Sequence, residues 1–125
     1  MFAIMMAVSA MSIPSSAASV SGQVSRIDCG GSNSITATGA SARTYAATSM
    51  TLNVDLYYYY DDIPNDKIKY INNSNGNNPV STIDVSVKKP SGNTRSNYCY
   101  SKHDAVYSLV GNVYHWGATT KNEYY

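Results

Sequence analysis

Apolar and polar residues alternate with a period of two along much of this chain, most cleanly over residues 50–60. The even positions there are Met50, Leu52, Val54, Leu56, Tyr58 and Tyr60; the odd positions through Asp55 are Thr51, Asn53 and Asp55. That rhythm puts one face of a strand in a core and the other in water. A helix would need apolar residues three and four apart, and Asn53 and Asp55 would break such a stripe. The segment is expected to be a long antiparallel strand, half buried, with a tyrosine-rich end.

The remaining chain reads as shorter strands separated by turn residues. Residues 20–29 form an expected first strand, ended by the Gly, Gly, Ser and Asn of 30–33. Residues 34–38 form a second, with Ile35 and Ala37 on one face, broken by Gly39, Ala40 and Ser41. A third is placed at 42–47. Pro64 and the acidic residues around it end the central strand, and 67–71 follows as a short one. The polar stretch 72–79 contains Asn75-Gly76, a strong hairpin dipeptide. Residues 80–89 alternate again, with Ile83, Val85 and Val87 on one side, and 90–93 turn the chain. Residues 98–109 carry Cys99, Ala105, Tyr107 and Leu109 on one parity, with an interruption near 102–104; Gly111 and Asn112 turn into a last strand at 113–120. Nothing after Ser19 has sustained helical periodicity. The expected fold is all-β, a single small antiparallel β-sandwich of about seven strands. Strand order stays open at this point.

The first eleven residues are apolar and uncharged, and Pro14 and small residues follow them through Ser19. This is the order of a secretory signal peptide cut near Ala18, although no Lys or Arg precedes the apolar run. The run is shorter than the roughly 20 apolar residues of a membrane-spanning helix. The expectation is a leader over 1–18, a sandwich domain over 19–125, and release outside the cell; the alternative is a buried N-terminal strand or helix. In that setting Cys29 and Cys99 predict a disulfide, worth roughly 4 kcal/mol in the chain-entropy model. The alternative is two free, buried thiols. Cys/His spacing suited to structural zinc is missing. The only Trp, Trp116, follows both cysteines, whereas an immunoglobulin domain places one between them.

Composition narrows the chemistry. Charged residues make up 14% of the chain and the net charge is +1, so no electrostatic attraction to nucleic acid is expected. Twelve tyrosines stand beside one Phe and one Trp. Tyr57, Tyr59, Tyr100 and Trp116 on an exposed sheet face would bind a protein or stack on sugar rings, since Tyr, Ser, Gly and Asn are the residues of binding loops. The plainer explanation is that tyrosine favours strands. Asp61, Asp62, Asn65 and Asp66 offer oxygen ligands for calcium, but their spacing is not that of an EF-hand loop, and turn formation explains them as well. His103 and His115 fall on neighbouring expected strands, where a paired metal site is conceivable and surface histidines are commoner. No nucleophile motif, phosphate-binding loop or spaced carboxylate pair is present. Asn72-Asn73-Ser74 fits a glycosylation acceptor. The expectation is a secreted, non-enzymatic binding or assembly module with a Tyr-rich surface for an extracellular protein or glycan, without metal or cofactor. A small secreted toxin or bacteriocin-like effector is the alternative.

Overall fold

The alternation expected of the central segment is met residue by residue. In the computed structural model, which describes residues 15–62, 65–76, 78–90 and 94–123, all six even positions from Met50 to Tyr60 are buried. The odd positions between them are partly exposed. The described residues form seven strands: β1 (Ser15–Val24), β2 (Ile27–Thr36), β3 (Gly39–Asp62), β4 (Asn65–Ser74), β5 (Val80–Lys88), β6 (Thr94–Leu109) and β7 (Asn112–Glu123). Every pairing is antiparallel. The strands make one connected sheet in the order β1-β2-β3-β6-β7, with β4 and β5 also joined to β3.

The 24-residue β3 is the axis of this sheet. Its first half lies between β2 and β5, and its second half between β4 and β6. The register with β5 shifts between Tyr45 and Met50, and β3 passes there from one half of the sheet to the other. Asn75 clamps this corner. Its Oδ1 accepts from the Leu52 N–H at 2.6 Å, and its Nδ2 donates to the Met50 carbonyl at 3.0 Å. Asn75-Gly76 is therefore not the tip of a hairpin between its flanking strands. It links β4 and β5, which run one after the other back along β3. Gly76, at φ +57°, supplies the left-handed turn.

The sheet curls until β1 comes beside β7, a nearly closed barrel whose seam is filled by the Trp116 indole against Gly22. Ile35, Leu52, Val54, Leu56 and Tyr58 are wholly shielded from solvent inside. Each such side chain contributes on the order of 2 kcal/mol through lost apolar surface.

Several boundaries differ from expectation, each for a physical reason. The first hairpin turns at Ser25-Arg26 (φ 50° and 69°), and Gly30–Asn33 lie inside β2. Gly30 and Gly31 are needed because the Tyr45 phenol and the His103 ring press on the backbone where a Cβ would stand. Gly39, Ala40 and Ser41 do not break the chain; they begin β3 and pair with both β2 and β5. Nor is there an interruption near residue 103, since β6 runs unbroken from Thr94 to Leu109.

The expected Cys29–Cys99 bridge is not formed. Both cysteines are buried free thiols. Asn33 bonds Ser101 and Gly31 lies under His103, so β2 passes β6 in the opposite sense and Cys29 comes level with position 105. Cys99 is six residues from that level, about 20 Å at a strand's rise per residue, whereas a disulfide needs Cα atoms within about 7 Å. Burial pushes the Cys99 thiol up to about 12, which keeps it protonated and unreactive. Most of the expected leader, residues 1–14, lies outside the described residues. Its last four positions, Ser15 to Ala18, pair with Thr36 to Asn33 as the start of β1. No helix among the described residues is long and apolar enough to cross a membrane.

Candidate functional site

The outer face of the β4–β3–β6–β7 half gathers tyrosines from three strands. Cross-strand register sets Ile68, Tyr59 and Tyr98 in one row, Tyr70, Tyr57, Tyr100 and Lys121 in the next, and Asn72, Asp55, Lys102 and Thr119 in a third. The rings touch along and between the rows. Tyr57 stacks on Tyr100 at 4.5 Å and 13°, and Tyr59 on Tyr98 at 4.3 Å and 11°. Tyr70 leans on Tyr57 at 4.7 Å, and Tyr59 and Tyr100 meet diagonally at 6.2 Å. The register with β6 shifts between Tyr59 and Tyr60. Tyr98 consequently faces out beside Tyr59 while Ser96 faces in, where its hydroxyl meets the buried Tyr58 phenol at 2.7 Å.

The centroid spacings are close to the 4.7–4.9 Å between neighbouring strands. The rings therefore stand up from the sheet with their faces against one another and their edges toward solvent. Lys121 lies 4.8 Å from the Tyr98 centroid and Lys102 5.8 Å from that of Tyr57, capping ring faces by cation–π attraction. Tyr70 donates its hydroxyl to Asp55 Oδ1 at 2.7 Å. Holding the proton against that carboxylate raises the phenol to about 12. Asn72 Nδ2 donates to the same Oδ1 at 2.8 Å.

Of the residues expected to bind, Tyr57, Tyr59 and Tyr100 are brought together, and Tyr98 and Tyr70 complete the group. Parity alone could have found Tyr98, since Cys99 points inward and both of its neighbours must point out. Trp116 is not in the patch. It is half buried at the β1–β7 seam, packed against the core.

The other outer face, over β1, β2, β5 and the first half of β3, is poor in aromatics. A shallow groove of about 500 Å³ there is lined by Ser32, Ser34, Ser41 and Ser86 beside the exposed Arg43–Asp84 ion pair. Tyr45 is an exposed large hydrophobic side chain of this face.

A second polar group lies inside the barrel, where sequence reading placed only apolar residues. His103 is not a surface histidine but is fully buried. Its Nδ1 lies 2.9 Å from Thr44 Oγ1, and its Nε2 2.7 Å from Ser101 Oγ and 3.0 Å from Thr120 Oγ1. Thr44 donates its own hydroxyl to the Asn53 carbonyl at 3.0 Å, so Nδ1–H is the donor to Thr44 and Nε2 accepts from a hydroxyl. Asn33 Nδ2 closes the network on Ser101 and Thr120. Burial lowers the imidazole to about 4, against the smaller opposing pull of Asp104 and of a backbone bond at Arg43. A serine hydroxyl at this distance from an imidazole has the spacing of a nucleophile and base. Here both groups are shielded from solvent, and the place of an orienting carboxylate is held by the Thr44 hydroxyl. The network pairs these inward polar groups with one another, leaving the buried Asn33 Oδ1 without a partner among the described residues.

His115 is exposed on the opposite face, 3.4 Å from Asp104, so the two histidines do not converge on a metal. No group of three metal-ligating side chains is found among the described residues. The side chains of the acidic turn at 61–66 lie outside the described residues.

No protein-family model matches this chain, and comparison with curated proteins and with solved structures finds no similar one.

Proposed function

We propose that this chain is a secreted, non-enzymatic binding module whose docking surface is the tyrosine stack on the β4–β3–β6–β7 face. The observation that carries the reading is the contiguity of Tyr57, Tyr59, Tyr70, Tyr98 and Tyr100 in one array of touching rings. Scattered tyrosines would be explained by strand propensity alone. In this reading the curled sheet works as a small β-sandwich, one half presenting the rings and the other packing behind them.

The posture of the rings selects the partner. Sugar stacking needs an aromatic face turned to solvent, and here most faces are spent on each other and on two lysines, while Tyr70 at the sheet edge keeps its outer face open. Ring edges and nearby ammonium groups remain. They suit a flat extracellular protein surface with carbonyl and carboxylate acceptors, and a glycan stacked on Tyr70 at the edge of the array is the weaker fit. Rigid aromatic contacts of this kind bind at low entropic cost.

The test is a binding screen of the purified chain against arrayed glycans and displayed extracellular proteins, repeated with the Tyr59→Ser/Tyr100→Ser variant. Expected is a protein ligand whose affinity falls at least about tenfold in the variant, a loss of 1.4 kcal/mol or more. Equal binding by the variant, or a screen with no ligand in either class, refutes the reading.

A further inference from the structure

The tyrosine stack ends at a strand edge whose peptide groups have no partner among the described residues. Leu52 exchanges backbone and side-chain bonds with Asn75, and Val54 C=O accepts from Asn72 Nδ2 at 3.2 Å. The even residues of β3 thus aim their peptide groups at β4. Through the register Val54↔Asn73 and Leu56↔Ile71, the odd residues of β4 bond β3, and Ile68, Tyr70 and Asn72 aim N–H and C=O away from the sheet. The other edges are treated differently. β1 and β7 close on each other across Trp116. The edge of β5 is capped from β4, where Asn73 Nδ2 donates to the Asp84 carbonyl at 3.0 Å and Lys69 Nζ to the Lys88 carbonyl at 3.4 Å. On β4 itself Ile68 and Tyr70 are 47% and 55% exposed, an apolar edge of the kind that recruits another strand.

We propose that a second copy of this chain pairs with that edge, β4 against β4, antiparallel about a two-fold axis through Tyr70. Three features favour a copy over another partner. Tyr70 has its edge-directed peptide group at the centre of the strand, so two copies exchange both hydrogen bonds of the Tyr70 pair, as a two-fold axis requires. In that register Lys69 meets Ile71 and Ile68 meets Asn72, so these positions set no like charges opposite one another. Tyr70 has Tyr57 on one side and the open edge on the other, and its hydroxyl is already fixed on Asp55. Two such rings meeting across the axis make one ladder through both copies, and the two tyrosine faces become a single eight-stranded surface. A strand-edge contact of this size falls among the small, weak interfaces of under about 1,200 Å², so association in the micromolar range is expected.

Sedimentation equilibrium of the chain, from low micromolar to submillimolar concentration, reads this directly. Expected is a concentration-dependent dimer that Tyr70→Lys weakens by at least about tenfold, because two ammonium groups then oppose each other across the axis. Mixing Tyr70→Lys with Tyr70→Glu should restore the dimer as a heterodimer. Far-UV circular dichroism confirms that both variants fold. The proposal is overturned by a chain monomeric throughout, by a dimer indifferent to Tyr70→Lys, or by a mixture that associates no better than either variant alone. A monomer that instead captures an extended peptide on β4 also overturns it, because the edge then serves a different partner. The ligand screen reads Tyr59 and Tyr100 and this assay reads Tyr70, so either reading can fail without the other.

Discussion

Acidification should destabilise this protein through one residue. His103 is neutral in the fold because burial holds its imidazole near 4, while in the unfolded chain it titrates near 6.5. Between those values the unfolded state carries a proton that the folded state lacks, so stability rises with pH across the window. The contribution is complete above about pH 6.5, is lost as pH falls toward 4, and changes no further below that. A difference of about 2.5 pH units at 1.36 kcal/mol each is about 3 kcal/mol, a large share of a net stability of about 5–15 kcal/mol. Urea unfolding followed by circular dichroism at a series of pH values measures it. The His103→Gln variant serves as reference, since it removes the titrating group and keeps hydrogen-bonding atoms. The wild-type stability should fall about 3 kcal/mol more than the variant's between neutral pH and pH 4. Parallel curves would falsify the placement of a neutral imidazole inside the barrel.

Other perturbations test the packing. Gly31→Ala drives a methyl group into the His103 ring, which is held at both nitrogens, and should cost about 3 kcal/mol in chemical unfolding; a neutral result would mean that the ring is elsewhere. Val110 sits at φ 49° in the β6–β7 turn and is 91% exposed. Val110→Asn creates Asn before Gly111, the favoured pair for such a turn, and should stabilise by about 1 kcal/mol in thermal or urea melts. For the cysteines, a reducing agent should leave the melting temperature unchanged. Thiol reagents should label neither Cys29 nor Cys99 in the native state and both after unfolding; one or no reactive thiol after unfolding would restore the bridge.

What the sequence disclosed and what it hid follow from the range of the forces involved. Side-chain alternation is local, so the buried series Met50 to Tyr60 was legible, as were Ile83 and Val85. The inward polar residues were not. Ser101 and His103 sit on the inner parity of β6, and only their bonds to Thr44, Asn33 and Thr120 on three other strands make that placement tolerable. Gly30 and Gly31 resemble a turn until the side chains that press on them are known. Conversely, the Ser25-Arg26 turn carries no Gly, Asn or Asp, and its positive φ values come from the twist of the hairpin rather than from residue preference. The tyrosine patch was half legible. Parity turned Tyr57, Tyr59 and Tyr100 outward, but only the register between β3, β4 and β6 shows that they touch each other and Tyr98 and Tyr70. Trp116 reads as a binding residue by type, and pairing β7 beside β1 assigns it to the seam. A disulfide inferred from an even cysteine count ignores how far apart two strands place their ends.

The proposed function requires the tyrosine stack to be the surface that meets a partner. Tyrosine rings carbon-13 labelled at Cε can be followed by NMR as the ligand from the display screen is added. The signals of Tyr57, Tyr59, Tyr98 and Tyr100 should shift, while those of buried Tyr58 and of Tyr45 on the serine-rich face stay in place. Shifts confined to Tyr45, with the four stacked rings unmoved, would contradict it.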